Sequence, residues 1–577
     1  MRKSLAVALA LGLWTDSLVW ARQPVRAAQA MVVAQEPIAA EVGLATLKAG
    51  GNAVDAAVAV ATALAVTYPF AGNLGGGGFM LVRMNDGRQA FFDFREKAPA
   101  AAGPNMYLDK DGKPTRDSVV GWRASGVPGT LRGLELAHRK FGQQKWADLL
   151  APAVKLAREG FPVSYSLSQS LKSAGRVRAN APDGSVLTAG GILTREADSK
   201  RIFLRDGRFY EPGEIFRQLE LATLLKRVQE RGVNEFYEGE LARHFAREMA
   251  AHGGLITYED LKNYQAVERK PLEGTFGDYT LITAPPPSTG GLGLLQMVNI
   301  LEGTGYEKAG LGSAAATHYV AEAMRRYYAD RGEFLGDADF VKVPLTSLIS
   351  KAYARERRAS IDPAKATPSS VIKQGRPTPG ESNETTHFSI VDAAGNAVAL
   401  TYTLNGGYGS GVTLPGLGFL LNNEMDDFTV KPGSPNMFGL IEGEANAIRP
   451  GKRPNSSMTP TVVLLKGQLH LVLGAPGGSR IPTGVLQVFL NVAVHKLNIQ
   501  DAIDQPRFHH QWQPDKLYLE RGFSPDTIEL LRAKGHPVEP NTFGVARVEA
   551  IQVETIDGKR WLAGGQDGRG DGKVAGY

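Results

Sequence analysis

Thr385 stands in the segment Glu384-Thr385-Thr386-His387-Phe388-Ser389, directly after a polar, proline-rich stretch at 362–383 with little apolar periodicity. Two threonines opening a strand are commonplace, because threonine favours strands. The setting is less ordinary. The stretch before them reads as an exposed linker, where a chain cut is most easily tolerated. Breaking the bond before Thr385 would give one residue both a hydroxyl and an adjacent α-amine. That amine has an ordinary pKa of about 8, so part of it is neutral and basic at physiological pH. Threonine hydroxyl and α-amine make a recognised nucleophile–base pair for acyl transfer, and the same hydroxyl can make the cut by attacking its own preceding carbonyl. Acyl transfer also needs donors for the developing oxyanion. Gly477-Gly478 lies between an apparent strand and an apparent helix, where backbone N–H groups can converge on negative charge. A plain strand–helix turn would place two glycines there equally well.

Other patterns are set aside on physical grounds. The glycine-rich run 72–78 precedes an apparent strand at 79–83, whereas a dinucleotide loop follows a strand and opens a helix. A close-packed backbone turn suits it better. His509 and His510 are adjacent and cannot share a helix face as an i, i+4 metal pair would. Residues 567–572 faintly suggest a calcium loop but lack the terminal glutamate. No metal and no cofactor is expected. The chain has no cysteine, which excludes disulfides and thiolate chemistry. A net charge of +6 is mild for 577 residues, and no basic cluster interleaves with aromatics, so nucleic acid is not an expected partner.

The elements that must position these residues can be read coarsely. Length alone suggests about four domains, although large layered folds can run long as one unit. Residues 37–66 read as two helices, broken at Gly50-Gly51, with Asn52 as a cap. The stretch 130–380 reads as mostly helical, for example at 216–232 and 238–252, interrupted by a rigid turn at 285–291. After 383 the texture turns to strands: 387–391 with 397–404, and 461–465 with 469–473, followed by a helix pattern at 481–497. Helical layers outside strand-rich segments suggest a stacked α/β architecture. At the N-terminus, Arg2 and Lys3 precede an apolar run from Leu5 to Trp14, too short to span a bilayer and suited to a signal peptide. Small-residue cleavage sites follow Ala21 and Ala30. Periplasmic or secreted localisation is expected, and no later stretch is long and apolar enough for a membrane span.

Six segments together resemble the γ-glutamyltranspeptidase (glutathione hydrolase) family, in the family's order from about residue 31 to the C-terminus. They are Thr385-Thr386-His387, the run 420–428 (LLNNEMDDF), Arg453-Pro454-Asn455-Ser456-Ser457-Met458, the run 474–480 (GAPGGSR), the run 50–57 (GGNAVDAA) and Asp93-Phe94-Arg95-Glu96. The run 506–512 (PRFHHQW) is similar to bacterial members.

The resemblance implies a four-layer αββα N-terminal-nucleophile hydrolase sandwich. It would be built as one domain from a large subunit, 31–384 after a signal peptide of 21 or 30 residues, and a small catalytic subunit, 385–577. It implies Thr385 as the nucleophile exposed by self-cleavage after Glu384, with Thr403 bonding its hydroxyl. It implies Gly477 and Gly478 as the oxyanion hole. Arg95, Ser456 and Ser457 would hold the α-carboxylate of a γ-glutamyl group, and Asn405, Glu424 and Asp427 its α-ammonium. Guanidinium matches carboxylate geometry, and acidic groups with an amide carbonyl suit a donor-only ammonium. The expected donors are glutathione and related γ-glutamyl compounds, with water, amino acids or dipeptides as acceptors. Two departures stand out. Glu424 replaces a glutamine found in many bacterial members, and Phe438, in the apparent lid loop 432–444, replaces a tyrosine found in some. The rival readings are an acylase on the same scaffold, which the ammonium-binding residues would discriminate against, and a processed but inactive binding protein.

Overall fold

Asn52 decides where the second helix begins. Its side-chain oxygen accepts the N–H groups of Val54 (2.9 Å) and Asp55 (3.0 Å), and Asp55 returns a bond to the Asn52 N–H (2.9 Å). This capping box launches α2 (Ala53–Thr67), which is buried all round. Before it, α1 (Pro37–Lys48) has proline at its first position and Glu36 as cap, so the expected pair of helices is present. The computed structural model describes residues 22–175, 191–372 and 385–577, apart from 435, 438, 441, 542 and 543.

Fourteen strands build two seven-stranded sheets, and every pairing in them is antiparallel. In chain order they are β1 (Val25–Ala27), β2 (Met31–Ala34), β3 (Gly77–Arg83), β4 (Gln89–Asp93), β5 (Val267–Arg269), β6 (Leu272–Phe276) and β7 (Tyr279–Thr283). After residue 384 come β8 (Thr386–Val391), β9 (Ala397–Thr403), β10 (Thr461–Leu465), β11 (Gln468–Gly474), β12 (Glu549–Ile556), β13 (Lys559–Gly565) and β14 (Lys573–Gly576). One sheet runs β1-β13-β12-β11-β10-β7-β6 and the other β14-β2-β8-β9-β3-β4-β5. Each therefore interleaves strands from both sides of residue 384.

Strand alternation sorts the core into layers. In β3, Phe79 and Leu81 join the apolar cluster between the sheets, with Leu281, Val462 and Leu473 of the facing sheet. Met80 and Val82 point the other way, to α1, α2, α3 (Thr130–Phe141) and α4 (Trp146–Glu159), with α5 (Leu219–Arg231) and α6 (Glu240–Ala251) beyond. The opposite outer layer is α7 (Gly290–Leu301), α8 (Ala314–Phe334) and α9 (Ile481–Ala493). The fold is the four-layer αββα sandwich.

The expected turn at 72–78 is close-packed: a Cβ on Gly76 would lie 2.0 Å from Thr403 O, and one on Gly78 2.4 Å from Thr401 O. Two expectations need correction. The stretch 130–380 contains β5, β6 and β7 as well as helices. Charged or glycine residues such as Glu268, Glu273 and Gly274 break the alternation of β5 and β6, which lie at sheet edges. The first part of the supposed exposed linker is anchored. Ser369 is buried, its N–H bonds Asp515 (2.8 Å) and its carbonyl accepts from Trp512 Nε1 (2.9 Å). Residues 373–384 lie outside the described residues.

The N-terminal end also bears on processing. β1 pairs with β13, and Ala27 and Ala30 are buried. Cleavage after Ala30 would remove an edge strand and leave β13 with unpaired backbone, whereas cleavage after Ala21 keeps it. A chain beginning at Met31 is expected to melt a few degrees below one beginning at Arg22, measured by calorimetry. Equal melting temperatures would show that β1 contributes nothing.

Candidate active site

The pairing of β8 with β9 sets Thr386 opposite Tyr402, so the residue before β8 meets the residue that ends β9. Thr385, 4 % exposed, donates its hydroxyl to Thr403 Oγ1 at 3.4 Å. Thr403 Oγ1 also accepts the Asn405 N–H at 2.8 Å. Asn405 takes φ 72°, a left-handed conformation that asparagine tolerates, and its Nδ2 donates to Asn423 O (2.9 Å).

Nine of the ten expected site residues line one small cleft. They are Thr385, Thr403, Asn405, Gly478, Arg95, Glu424, Asp427, Ser456 and Ser457. Gly477 is not on the lining, but it adjoins Gly478. Both glycines have positive φ, 145° and 53°, and a Cβ on Gly477 would lie 2.8 Å from Ala546 Cα. They lead through a short turn into α9, so Gly478 stands near a helix N-terminus with its partial positive charge. Ser456 is clamped from behind by the 285–291 turn: its N–H bonds Pro287 O (3.0 Å) and its carbonyl accepts from Thr289 N (2.7 Å). A Cβ on Gly290 would lie 2.3 Å from Ser457 O, so this approach requires glycine. A larger cavity of about 560 Å³ lies beyond Gly406, Asn423 and Met437. The hydroxyl and the charged groups converge in the smaller cleft.

Arg95 is fully buried. Asp93, at the end of β4, accepts its N–H (2.9 Å), and Tyr264 donates to its carbonyl (2.8 Å). Its guanidinium pairs with Glu424 and with Asp427 (2.5 Å), lies 3.5 Å from Glu96, and donates to the carbonyls of Asn455 (2.7 Å) and Pro454 (3.3 Å). The supposed carboxylate-binding and ammonium-binding residues are thus paired with one another. Burial alone would lower the Arg95 pKa, but three carboxylates raise it. Burial pushes Glu96 up to about 7 against the pull of Arg95, and raises Glu424 and Asp427 well above the usual carboxylate range for the same reason.

Three residues in or next to the cleft had no role in the sequence reading. Arg331 lines the cleft from α8, Glu442 pairs with it, and Asn455 holds Arg95. Arg331 follows Arg325 and Arg326 along the same helix, and nothing in the sequence separates it from them. Phe438 and Glu384 lie outside the described residues. Elsewhere, His318, Glu322 and His536 bring metal-ligand atoms within 4.8 Å of one another. Glu322 is already paired with Arg325 and Arg326, whose charges oppose a dication. His509 and His510 turn to different partners, Thr483 and Asp515. Asp567 is taken by Arg507 and Arg569.

Comparison with known proteins bears on this geometry. The gamma-glutamyltranspeptidase family model matches residues 39–577. A glutathione hydrolase proenzyme of Escherichia coli (strain K12) is 49% identical over 96% of this chain and 93% of its own. The structure superposes on a cephalosporin acylase from Bacillus halodurans with a TM-score of 0.83, at 27% identity, covering 99% of both chains. It superposes on a Helicobacter pylori gamma-glutamyltranspeptidase with a TM-score of 0.55, at 41% identity, covering 59% of this chain and 93% of that one.

Glu96 makes the cluster testable without any substrate. Its folded pKa is raised from 4.5 to about 7. Its contribution to stability is therefore fully present below about 4.5 and lost as pH rises through about 7, at most roughly 3 kcal/mol. Glu96→Gln removes this titration. The melting temperature should fall less between pH 5 and pH 8 in the variant than in the wild type, by a few degrees. An identical pH dependence would mean that Glu96 does not titrate in this range.

Proposed function

Since the chain belongs to the gamma-glutamyltranspeptidase family, we infer that the cleft around Thr385 is where γ-glutamyl groups are taken from a donor amide and passed to water or an amine. The protein is a γ-glutamyl acyltransferase and hydrolase. One observation carries the assignment of this cleft: the Thr385 hydroxyl opens onto the same small space as Arg95, Glu424 and Asp427.

The ion-paired cluster is a ready receptor for a zwitterion. An α-amino-acid end would insert its carboxylate toward Arg95, Ser456 and Ser457, and its ammonium toward Glu424, Asp427 and Asn405. Each charge of the cluster then exchanges one partner for another, and the donor's ends are paired where water is excluded. With both ends held, the γ-carbonyl is delivered to Thr385, and positioning of this kind supplies much of the rate.

Maturation supplies the base. Attack by Thr385 Oγ on the carbonyl of Glu384 would shift that acyl group from nitrogen to oxygen, and water would then hydrolyse the ester, leaving Glu384 as a carboxylate and Thr385 with a free hydroxyl and a free α-amine. In turnover that amine takes the hydroxyl proton as Oγ attacks. The N–H groups of Gly477 and Gly478 receive the oxyanion, and the amine returns the proton to the leaving nitrogen. Water or an acceptor amine then attacks the γ-glutamyl ester by the same route in reverse. Thr403 holds the hydroxyl in line. Glutathione is the proposed donor, and amino acids or dipeptides the proposed amine acceptors.

The two chains, 31–384 or 22–384 and 385–577, would stay together as a heterodimer, a reading supported by the strand interleaving in both sheets. Among the described residues no helix is long and apolar enough to cross a membrane. Export to the periplasm or medium is proposed on the Arg2–Trp14 pattern, and the pairing of β1 with β13 favours cleavage after Ala21.

Purified protein should separate into two chains, the smaller beginning with Thr385. Thr385→Ala should remain one chain and show no turnover. Normal cutting of that variant, by intact-mass measurement, would remove Thr385 from its role.

The likeness to a cephalosporin acylase makes a second reading specific, because a glutaryl group is a γ-glutamyl group without its α-ammonium. A glutaryl donor would leave Glu424 and Asp427 without a substrate cation. Sites built around a substrate polar group can reject analogues lacking it by about 10⁴–10⁵. With partial water access the expected preference in kcat/KM for matched anilides is at least about 10²-fold, roughly 2.7 kcal/mol. Asp427→Asn should lower the γ-glutamyl rate far more than the glutaryl rate. Equal efficiency of the wild type on both donors would favour the acylase.

A further inference from the structure

The cleft contains a second guanidinium. Arg331 is 3 % exposed and lines the cleft beside Thr385 and Asp427. Asp427 lies within its electrostatic reach, yet its ion-pair partner is Glu442, buried at the C-terminal base of the 432–444 loop. Arg331 Nε also donates to Thr289 Oγ1 (3.0 Å), which ties it to the turn behind Ser456.

Glu442 reaches both halves of the charged cluster through single residues. Its second oxygen accepts from Asn455 Nδ2 (2.8 Å) and from Asn446 Nδ2. Asn455 in turn offers its carbonyl to Arg95 (2.7 Å), and Asn446 Nδ2 donates also to the carbonyl of Asp427 (2.6 Å). Asn446 Oδ1 accepts the Asn455 N–H (3.0 Å), which closes the network.

We propose that Glu442 is a positioning residue that sets donor specificity: by holding Arg331 it keeps Asp427 and Glu424 available to exchange Arg95 for a substrate α-ammonium, and so enforces α-amino over des-amino acyl donors. The inference rests on the reading of the cleft as a γ-glutamyl site. Its physical basis is charge balance. A buried cation that loses its counter-ion must find another or become strongly unfavourable. Without the Glu442 charge, Asp427 is an acid within Arg331's reach, and once paired with Arg331 it no longer draws an ammonium. A glutaryl donor makes no use of that charge and loses little. The effect should therefore separate two donors that share every other atom, which a general loss of packing would not do.

The test measures kcat and KM for γ-glutamyl and glutaryl p-nitroanilides in wild type, Glu442→Gln and Glu442→Asp, with maturation followed by intact mass. Glu442→Gln should mature normally, raise KM for the γ-glutamyl donor at least 10-fold with a smaller change in kcat, and reduce the γ-glutamyl/glutaryl ratio of kcat/KM at least 5-fold. Glu442→Asp, which keeps the charge, should stay within about 3-fold of the wild-type ratio. The double variant Glu442→Gln/Arg331→Gln removes the cation with its counter-ion and should recover most of the ratio. It also decides the matter if Glu442→Gln alone fails to mature: a ratio near the wild type supports the proposal, and one at least 5-fold lower overturns it. Equal losses on both donors in Glu442→Gln, or an unchanged ratio, also overturn it. A wild type that shows no preference for the γ-glutamyl donor would instead defeat the underlying reading of the cleft.

Discussion

A guanidinium cut off from water must be surrounded by its own counter-charges, and much of this cleft follows from meeting that requirement for Arg95. Glu424 and Asp427 come from one short turn, Glu96 from the next position in the chain, and two carbonyls from Pro454 and Asn455. These segments lie far apart in sequence and must be brought together to sub-ångström tolerance. The glycine-rich turn before β3 is part of the same solution, since a Cβ on Gly77 would lie 2.8 Å from Glu96 Oε2 and 2.4 Å from Phe94 O. Asn422 fastens the acidic turn to that glycine turn through Gly75 O (2.8 Å) and to the loop before α3 through Gly126 O (2.7 Å).

One guanidinium faces three carboxylates, and burial raises the pKa of each of them against the pull of Arg95. A ligand that brings both a carboxylate and an ammonium adds no net charge and offers the acids a cation in exchange for Arg95, whereas a simple anion only adds negative charge. On the proposed reading, the charged half of the cleft selects and the hydroxyl half reacts. The two halves meet because β9 ends at Thr403 and turns, through Asn405 in a left-handed conformation, toward the acidic turn at Asn423.

Thr385 owes its place to the sheets. β8 lies third in its sheet, flanked by β2 and β9, and its inward face meets the second sheet, where a Cβ on Gly474 would lie 2.4 Å from His387 Cε1. A strand fixed on both edges and both faces also fixes where the residue before it stands. Strands from before and after residue 384 pair side by side in both sheets.

Much was legible in the sequence. Local chemistry placed α1 and α2, because proline, glycine and an asparagine cap act over a few residues. It also exposed the hairpins around Asp392–Asn396 and Lys466-Gly467, and it marked Thr385 as a hydroxyl at a strand start. The resemblance of several motifs to one family brought Arg95, Asn405, Glu424, Asp427, Ser456 and Ser457 forward together. Other features were not legible. The strands at 267–283 lie at or near a sheet edge and are too short and polar to alternate clearly. The anchoring of residues 362–372 depends on Trp512 and Asp515, more than a hundred residues away. Above all, the sequence by itself determined which charged residues this protein carries and the order of its elements, since both are properties of the chain. Only the tertiary structure decided that Arg95 pairs with the acids expected to meet a substrate, and that Arg331, alone among three arginines of α8, lines the cleft and answers to Glu442. Pairing between buried charges depends on distance and on the exclusion of water, and neither exists until the layers have closed.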